Sequence, residues 1–389
     1  MRKAGREDET RRAGASPEAV NRGARGRLTC SGPGKRDRMR IVVTGATGNV
    51  GTALVRTLAA DATVESIVGL ARRPTRLQVP KTTWVQADVA SGDLTGAFAD
   101  ADAVVHLAWL IQPSRRESIT RAVNVDGSRR VFEAAARAGV RTLVYASSVG
   151  AYSPGPKDRA VNESWPTGGI STSFYSRHKA EVEGILDAFS RENPRVRVVR
   201  LRPGLIFQRA AASGIRRLFL GPLLPRALLR PTLIPVVPDV ARLRFQAVHA
   251  LDVAEAYHQA VVREVEGSFN VAAEPVLDPA MLGRVLGARP VPIPGAVLRV
   301  VADVTWRARL QPTPPGWLDL ALGVPLMDVT RARQELGWEP TMSAGDALLE
   351  LIEGIRDGAG TVGAAPLDPS TGGPLRSREF TSGVGSHSR

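Results

Sequence analysis

The stretch "RIVVTGATGNVGTALVRTLAA" (40–60) constrains the fold more than any other part of the chain. A continuous apolar run enters a turn with glycines at 45, 48 and 51, and an amphipathic segment follows. An unbroken apolar run fits a strand buried on both faces, because a half-exposed strand would alternate. Small residues in the turn let the backbone approach a bound group closely. The opening of the helix behind it offers free N–H groups and the positive end of its dipole to an anion. A glycine trio alone is a weak signal; between a strand and a helix it reads as a phosphate-cradling turn.

The same alternation continues downstream. "VESIVGLARR" (64–73), "TTWVQADV" (82–89), "ADAVVHLAW" (101–109), "RTLVYASS" (141–148) and "RVRVVRLRPG" (195–204) read as further strands. Between the later ones lie helical patterns at 117–138, stopped by Gly139, and from Phe174 onward. Strands separated by helices imply right-handed crossovers and a doubly wound parallel α/β sheet. From residue 204 to 245 the chain is rich in Pro, Leu and Arg and loses this rhythm, which marks a second lobe. "VHALDVAEAYHQAV" (248–261) reads as a helix returning to the first domain. The expected organisation is a nucleotide-binding domain over 39–203 plus 246–265 and a smaller C-terminal lobe over 204–245 plus 266–357.

Charge and cysteine content limit the function classes. The net charge is +14, but residues 1–38 carry 11 Lys/Arg against 5 Asp/Glu with few apolar residues. That segment reads as a solvated, disordered basic tail, and residues 358–389, rich in Gly, Ser and Pro, as a second tail. The remaining positive charge is spread thinly, with no basic-aromatic stripe, so no nucleic-acid partner is expected. No apolar run approaches the ~18 residues of a transmembrane candidate, and the start lacks the apolar core of a secretory signal. No membrane partner is expected. Cys30 is the only cysteine, which excludes an internal disulfide or a cysteine-rich metal site, and no metal is expected. A reduced, cytoplasmic setting follows.

Polar residues gather where strands end. "GLARRP" ends the second strand with Arg72 and Arg73, where an acidic residue would accept ribose hydroxyls. Arginines there favour a 2′-phosphate, and therefore NADP, within a general expectation of NAD(P). Asp88 and Val89 follow the third strand, close to where an adenine would lie. "VYASSVGAY" places Ser147 and Ser148 at the carboxyl end of the fifth strand, the side on which such sheets bind ligands. "FYSRHK" then sets Tyr175 and Lys179 four apart on one helix face. An ammonium beside a phenol favours the phenolate, which makes a tyrosine usable as general acid or base.

Together these motifs resemble the extended short-chain dehydrogenase/reductase, or NAD-dependent epimerase/dehydratase, family, over most of positions 41–350. "TGATGNVG" is similar to its glycine turn, "VVHLA" to its fourth-strand motif and "NVDGSRRVFEAA" to its helix opening on asparagine. "YASSVGAY" resembles its catalytic-serine strand, "YSRHK" its Tyr–Lys pair and "LRPG" the segment beside the nicotinamide. "VHALDVAEA" and "LGWEPTMSAGDAL" match the late helix and the ending. The resemblance implies a Rossmann domain with a substrate-binding lobe, Ser148, Tyr175 and Lys179 as the catalytic set, and Ser147 as the fallback serine. It implies cofactor contacts from Gly45, Thr47, Gly48, Asn49, Val50, Gly51, Leu107, Ala108, Asn124, Tyr175, Lys179 and Pro203, besides Arg72, Arg73, Asp88 and Val89. Asn124 would help to place the site. His106 reads as a satisfied strand-end histidine and His178 carries no chemistry.

The chain also departs from the family pattern. Val149 and Gly150 follow Ser148 where dehydratases carry an acid pair, and "RPGLIFQ" lacks the asparagine usual in nucleotide-sugar epimerases. "LRFQAVH" keeps Arg244 without the usual acidic neighbour. The expectation is therefore a reductase or epimerase acting at an alcohol or carbonyl carbon of a small molecule. The competing reading is a non-catalytic NAD(P)-binding sensor on the same fold. A homodimer through helix pairing is what the family implies.

Overall fold

A computed structural model of the chain describes residues 38–112, 115–217, 235–311 and 313–370. The expected tails fall outside these residues, apart from Arg38 and the stretch 358–370.

The central sheet holds seven strands: β1 (Met39–Thr44), β2 (Val64–Ala71), β3 (Thr82–Gln86), β4 (Ala103–His106), β5 (Thr142–Ala146), β6 (Arg197–Pro203) and β7 (Gly267–Val271). They lie in the order β3-β2-β1-β4-β5-β6-β7, and every neighbouring pair is parallel. The strand order reverses between β1 and β4, which opens a crevice at their carboxyl ends. Alternate residues of β1 feed two cores. Ile41 and Val43 pack with Leu54, Val55 and Leu58 of helix α1 (Asn49–Ala60), whereas Val42 joins Phe132 of α2 (Gly127–Arg137) and Val182 and Leu186 of α3 (Phe174–Glu192). Both faces of the sheet are thus covered, which is why the inner strands β1 and β4 run apolar through Ile41–Val43 and Ala103–Val105.

The structure alters four details of the sequence reading. β7 lies outside the expected nucleotide-binding segments, yet it extends the main sheet beside β6. Its run "SFNV" is too short to stand out from a mixed region, and only pairing identifies it. The helix expected from 248 begins two residues later. Phe245–His249 forms a strand parallel to Leu205–Phe207, and helix α4 (Ala250–Val262) follows, capped by the His249 side chain. Glu117–Arg137 is one helical run broken by a wider turn at Ala122–Asp126. Lastly, residues 358–370 pack on the domain: Ala364 and Leu367 are buried with Leu77 and Ala211, and Thr75 donates to the Gly363 carbonyl at 2.7 Å. Two apolar side chains anchor a stretch whose composition reads as tail.

The C-terminal part adds a small sheet of Ala273–Leu277, Phe245–His249 and Leu205–Phe207, a strand pair Val236–Asp239 with Arg289–Pro292, and three helices used below. These are α5 (Gly295–Arg307), α6 (Gly316–Gly323) and α7 (Ala344–Asp357). Among the described residues no helix is long and apolar enough to cross a membrane.

Candidate active site

The glycine turn follows β1 at the crevice. Gly45 has φ +70°, and a Cβ on it would lie 2.7 Å from the Ala108 nitrogen. Only glycine lets the segment after β4 cross so close. A Cβ on Gly51 would stand 2.7 Å from the Ala46 carbonyl carbon, so its absence lets α1 sit directly on the turn. Gly48 occupies the N-cap of α1 without a side-chain cap, and no acidic residue lies in the first turn. The positive end of this helix therefore keeps its attraction for an anion. Thr47 lies in this turn, and Asn49 and Val50 open α1. The Asn49 side chain is already engaged, donating to the Ile206 carbonyl at 3.2 Å and accepting from Gln208 at 2.6 Å.

At the far end of the crevice, Arg72, Arg73, Gln86, Ala87, Asp88 and Gly92 line a cavity of about 320 Å³. The Arg73 guanidinium titrates below its usual range, first because it is buried and then because Arg72 and Arg217 lie near it. This concentration of positive charge suits a dianionic group. Asp88 spends one carboxylate oxygen on the Ala90 N–H at 3.0 Å, and buried Val89 packs beside Gly127.

Register brings Thr44, His106 and Tyr145 side by side across β1, β4 and β5. His106 bonds Thr44 at 2.7 Å and Ser128 at 2.9 Å, and burial, then the charge of Lys179, depresses it to about 3. It is a neutral, satisfied histidine. Asn124 sits in the wide turn before α2 and uses its whole amide on Leu110, accepting from the N–H at 2.7 Å and donating to the carbonyl at 3.0 Å. Its side chain therefore holds the segment Leu107–Leu110 in place. Pro203 ends β6 at the same edge of the sheet.

The catalytic candidates converge here. Ser148 accepts from the Gly150 N–H at 3.0 Å, and its hydroxyl meets the Tyr175 ring over Gly150, where a Cβ would lie 3.3 Å from the one and 2.8 Å from the other. Ser147 points the other way and donates to Glu183. Ser148 is thus the serine on the Tyr175 side, and Ser147 is held by Glu183. Tyr175 keeps some open surface but lies between Trp109, with ring centroids 6.1 Å apart, and Trp317, at 5.1 Å. Burial raises its pKa to about 12, against a lowering effect of the Ser148 hydroxyl. Lys179 is buried, donates to the Ala146 carbonyl and lies 5.9 Å from the Tyr175 ring centroid, so the pair shares a face. The expected lowering of the phenol by this ammonium does not operate in this arrangement. Lys179 faces Trp109 instead, 3.4 Å from the ring centroid, and its own pKa falls well below the usual value through burial.

The sequence reading missed Trp109, Trp317 and Glu183. Only Glu183 carried a signal: it lies eight residues after Tyr175 and four after Lys179, hence on the same helical face. His178 is buried 3.3 Å from Glu117 and faces away from this chemistry. Among the described residues no group of three or more metal-ligating side chains occurs.

The NAD dependent epimerase/dehydratase family model matches residues 41–272, more than half of the chain. The chain belongs to this family. An uncharacterized protein of Mycobacterium bovis is 27% identical over 321 residues, which are 82% of this epimerase/dehydratase-family chain but only 30% of that relative's length. A UDP-glucose 4-epimerase of Mycolicibacterium smegmatis is 34% identical over 157 residues, 37% of this chain and 50% of that one. Among solved structures, the UDP-glucose 4-epimerase of Thermus thermophilus in complex with NAD superposes with a TM-score of 0.60 at 22% identity. That likeness covers 82% of this chain and 99% of the other, and it establishes the shared fold.

Proposed function

We propose that this protein is an NAD(P)-dependent oxidoreductase or epimerase that interconverts an alcohol and a carbonyl on a small-molecule substrate. The observation that carries the reading is the convergence of the Ser148 hydroxyl and the Tyr175 ring over Gly150, on the carboxyl side of β5 and beside buried Lys179. A substrate oxygen set against both hydroxyls gives its proton to Tyr175 in oxidation and regains it in reduction. A bound nicotinamide would supply the hydride chemistry at the carbon that bears this oxygen. Lys179 supplies a positive charge near the phenol and the ribose once its ammonium turns from Trp109. The glycine turn would hold the pyrophosphate, with the uncapped N-terminus of α1 as its anion site.

Arg72, Arg73 and the nearby Arg217 support NADP as the preferred cofactor, since an adenosine 2′-phosphate would neutralise a cluster that otherwise repels itself. Replacing Arg72 and Arg73 by glutamate should move the kcat/KM preference toward NAD; an unchanged ratio refutes the assignment. Tyr175→Phe tests the chemistry. Turnover of an alcohol and carbonyl panel should fall by roughly 10²–10⁴-fold while cofactor Kd stays within a few-fold. Undiminished turnover would remove Tyr175 from the mechanism. Cofactor left oxidised after net conversion marks an epimerase, and cofactor consumed with substrate marks a reductase.

A further inference from the structure

Helix α5 has its apolar side outward. Val297, Val300, Val301 and Val304 recur at i, i+3, i+4 and i+7 and are 52–61% exposed, and no residue of the helix is fully buried. The opposite side, with Leu298, Ala302 and Trp306, is only half-buried. Four exposed valines in one stripe are a patch, whereas scattered exposed apolar residues need no explanation.

The charges around the stripe define its occupant. Along the helix, Arg299 pairs with Asp319 at 2.8 Å and Arg307 with Asp303 at 2.9 Å, so that stretch is neutral. At the C-terminal end, positive charge is in excess. Arg115 stacks on the Trp306 ring at 3.7 Å and bonds its carbonyl at 2.6 Å. Arg309 lies near enough to depress the Arg115 pKa further, after burial has lowered it. Arg309 also adopts φ +59°, a conformation that favours glycine, just past the helix end, and Leu310 beside it is 57% exposed. A valine stripe ending in an exposed leucine and an arginine collar matches an interfacial helix, whose apolar side enters a lipid surface while cations meet the head groups. A second copy paired antiparallel on this face would leave both collars without anionic partners, whereas an anionic lipid surface supplies them. Among the described residues no helix is long and apolar enough to cross a bilayer, and an interfacial helix needs no such span.

We propose that the outer face of α5, with Leu310 and the Arg115–Arg309 collar, docks on an anionic lipid surface. Docking sets a second cavity, of about 330 Å³, at the surface. Arg115, Trp306, Phe174 and Trp317 are among the residues that line it, and Trp317 also stacks against Tyr175.

The test is co-sedimentation of the full chain with phosphatidylcholine vesicles, with and without roughly 30% phosphatidylglycerol, at about 0.15 M salt. Wild type should bind the anionic vesicles more tightly. The triple variant Val297→Gln, Val300→Gln, Val304→Gln keeps net charge and alters only exposed positions, so its thermal melt should be unchanged. Its affinity should fall by about tenfold or more. Arg309→Gln should weaken binding to anionic vesicles and leave binding to neutral ones as it was. The proposal fails if wild type does not bind, or if the triple variant binds equally well, which would credit the basic N-terminal segment. It also fails if wild type sediments as a dimer that the triple variant converts to monomer, because the face would then join two copies.

Discussion

The Lys179 ammonium lies 3.4 Å from the centroid of the Trp109 ring. Trp109 follows directly on Leu107 and Ala108, at the tip of the segment that Asn124 pins, so one short loop carries both the cofactor-side backbone and the cover over the lysine. A cation over an indole face contributes about 0.5–2 kcal/mol, more as it is desolvated. Trp109→Leu should therefore destabilise the unliganded protein by about 1 kcal/mol in urea unfolding. It should also push the depressed Lys179 pKa lower, since it removes the group that faces the charge. Unaltered unfolding would mean that the contact contributes nothing.

Burial raises the Tyr175 pKa, and the neighbouring Ser148 hydroxyl opposes it. Ser148→Ala should move the rising limb of the kcat/KM profile for alcohol oxidation to higher pH, because the phenol must lose its proton to act as base. Activity near neutrality should drop by roughly 10–10²-fold. A limb that stays where it was would show that the rate-governing ionisation belongs to another group.

The absent side chain of Gly51 is worth testing by its return. A Cβ there meets the Gly45 carbonyl oxygen as well as Ala46, both backbone, so the strain cannot be relieved by a rotamer change. Gly51→Ala should cost about 2 kcal/mol or more of stability and a larger factor in cofactor affinity than in kcat. Calorimetry and cofactor titration read the two effects separately.

The parts legible in the sequence were those with a local signature. "RIVVTGATGNVG" gave strand, turn and helix start because each needs a residue type at a fixed offset. Tyr175 and Lys179 were legible as a pair because helical spacing puts them on one face. Long-range placement was not legible. Nothing local marks Trp317, whose ring reaches Tyr175 from α6, or Trp109, whose position over Lys179 depends on how Asn124 holds its loop. β7 escaped for the same reason: a strand of five residues is defined by its pairing with β6. The valine stripe of α5 has helical spacing, yet such a stripe is ordinarily a buried face, and only exposure distinguishes it.

His106 makes acid stability a direct readout of the crevice. Burial, then the Lys179 charge, lowers its pKa from the usual 6.5 to about 3, so the fold favours the neutral ring. The stabilisation is complete above pH 6.5 and is lost as pH falls from there toward 3, by up to about 1.4 kcal/mol per pH unit. His106→Gln should flatten the unfolding free energy between pH 6.5 and 4.5, the part of the window above the carboxylate range. Parallel profiles for the two proteins would place the acid sensitivity elsewhere.

Glu183 ties the catalytic helix to the sheet. Its carboxylate accepts from Arg202 at 2.9 and 3.1 Å, from Arg200 at 2.9 Å and from Ser147, the neighbour of Ser148. Arg202 in turn donates to the Tyr152 hydroxyl at 3.1 Å, and Tyr152 to Asn270 of β7 at 2.6 Å. Burial alone would raise the Glu183 pKa, but the bonds and charges of Arg202 and Arg200 outweigh it and hold the carboxyl at about 2. Glu183→Gln leaves Arg202 buried without its counter-charge, a loss that typically costs 3–5 kcal/mol, so a fall in Tm of many degrees is expected near neutrality. The wild-type advantage is present above pH 4.5 and disappears as pH falls through about 2, so the two unfolding curves should converge in acid. Glu183 also raises the Lys179 pKa from one helical turn away, opposing the effect of burial. The variant should accordingly bind cofactor more weakly, with the loss growing as pH rises and Lys179 gives up its proton. Equal stability at pH 7, or a cofactor Kd that ignores pH, would reduce Glu183 to a packing residue with no hold on the site.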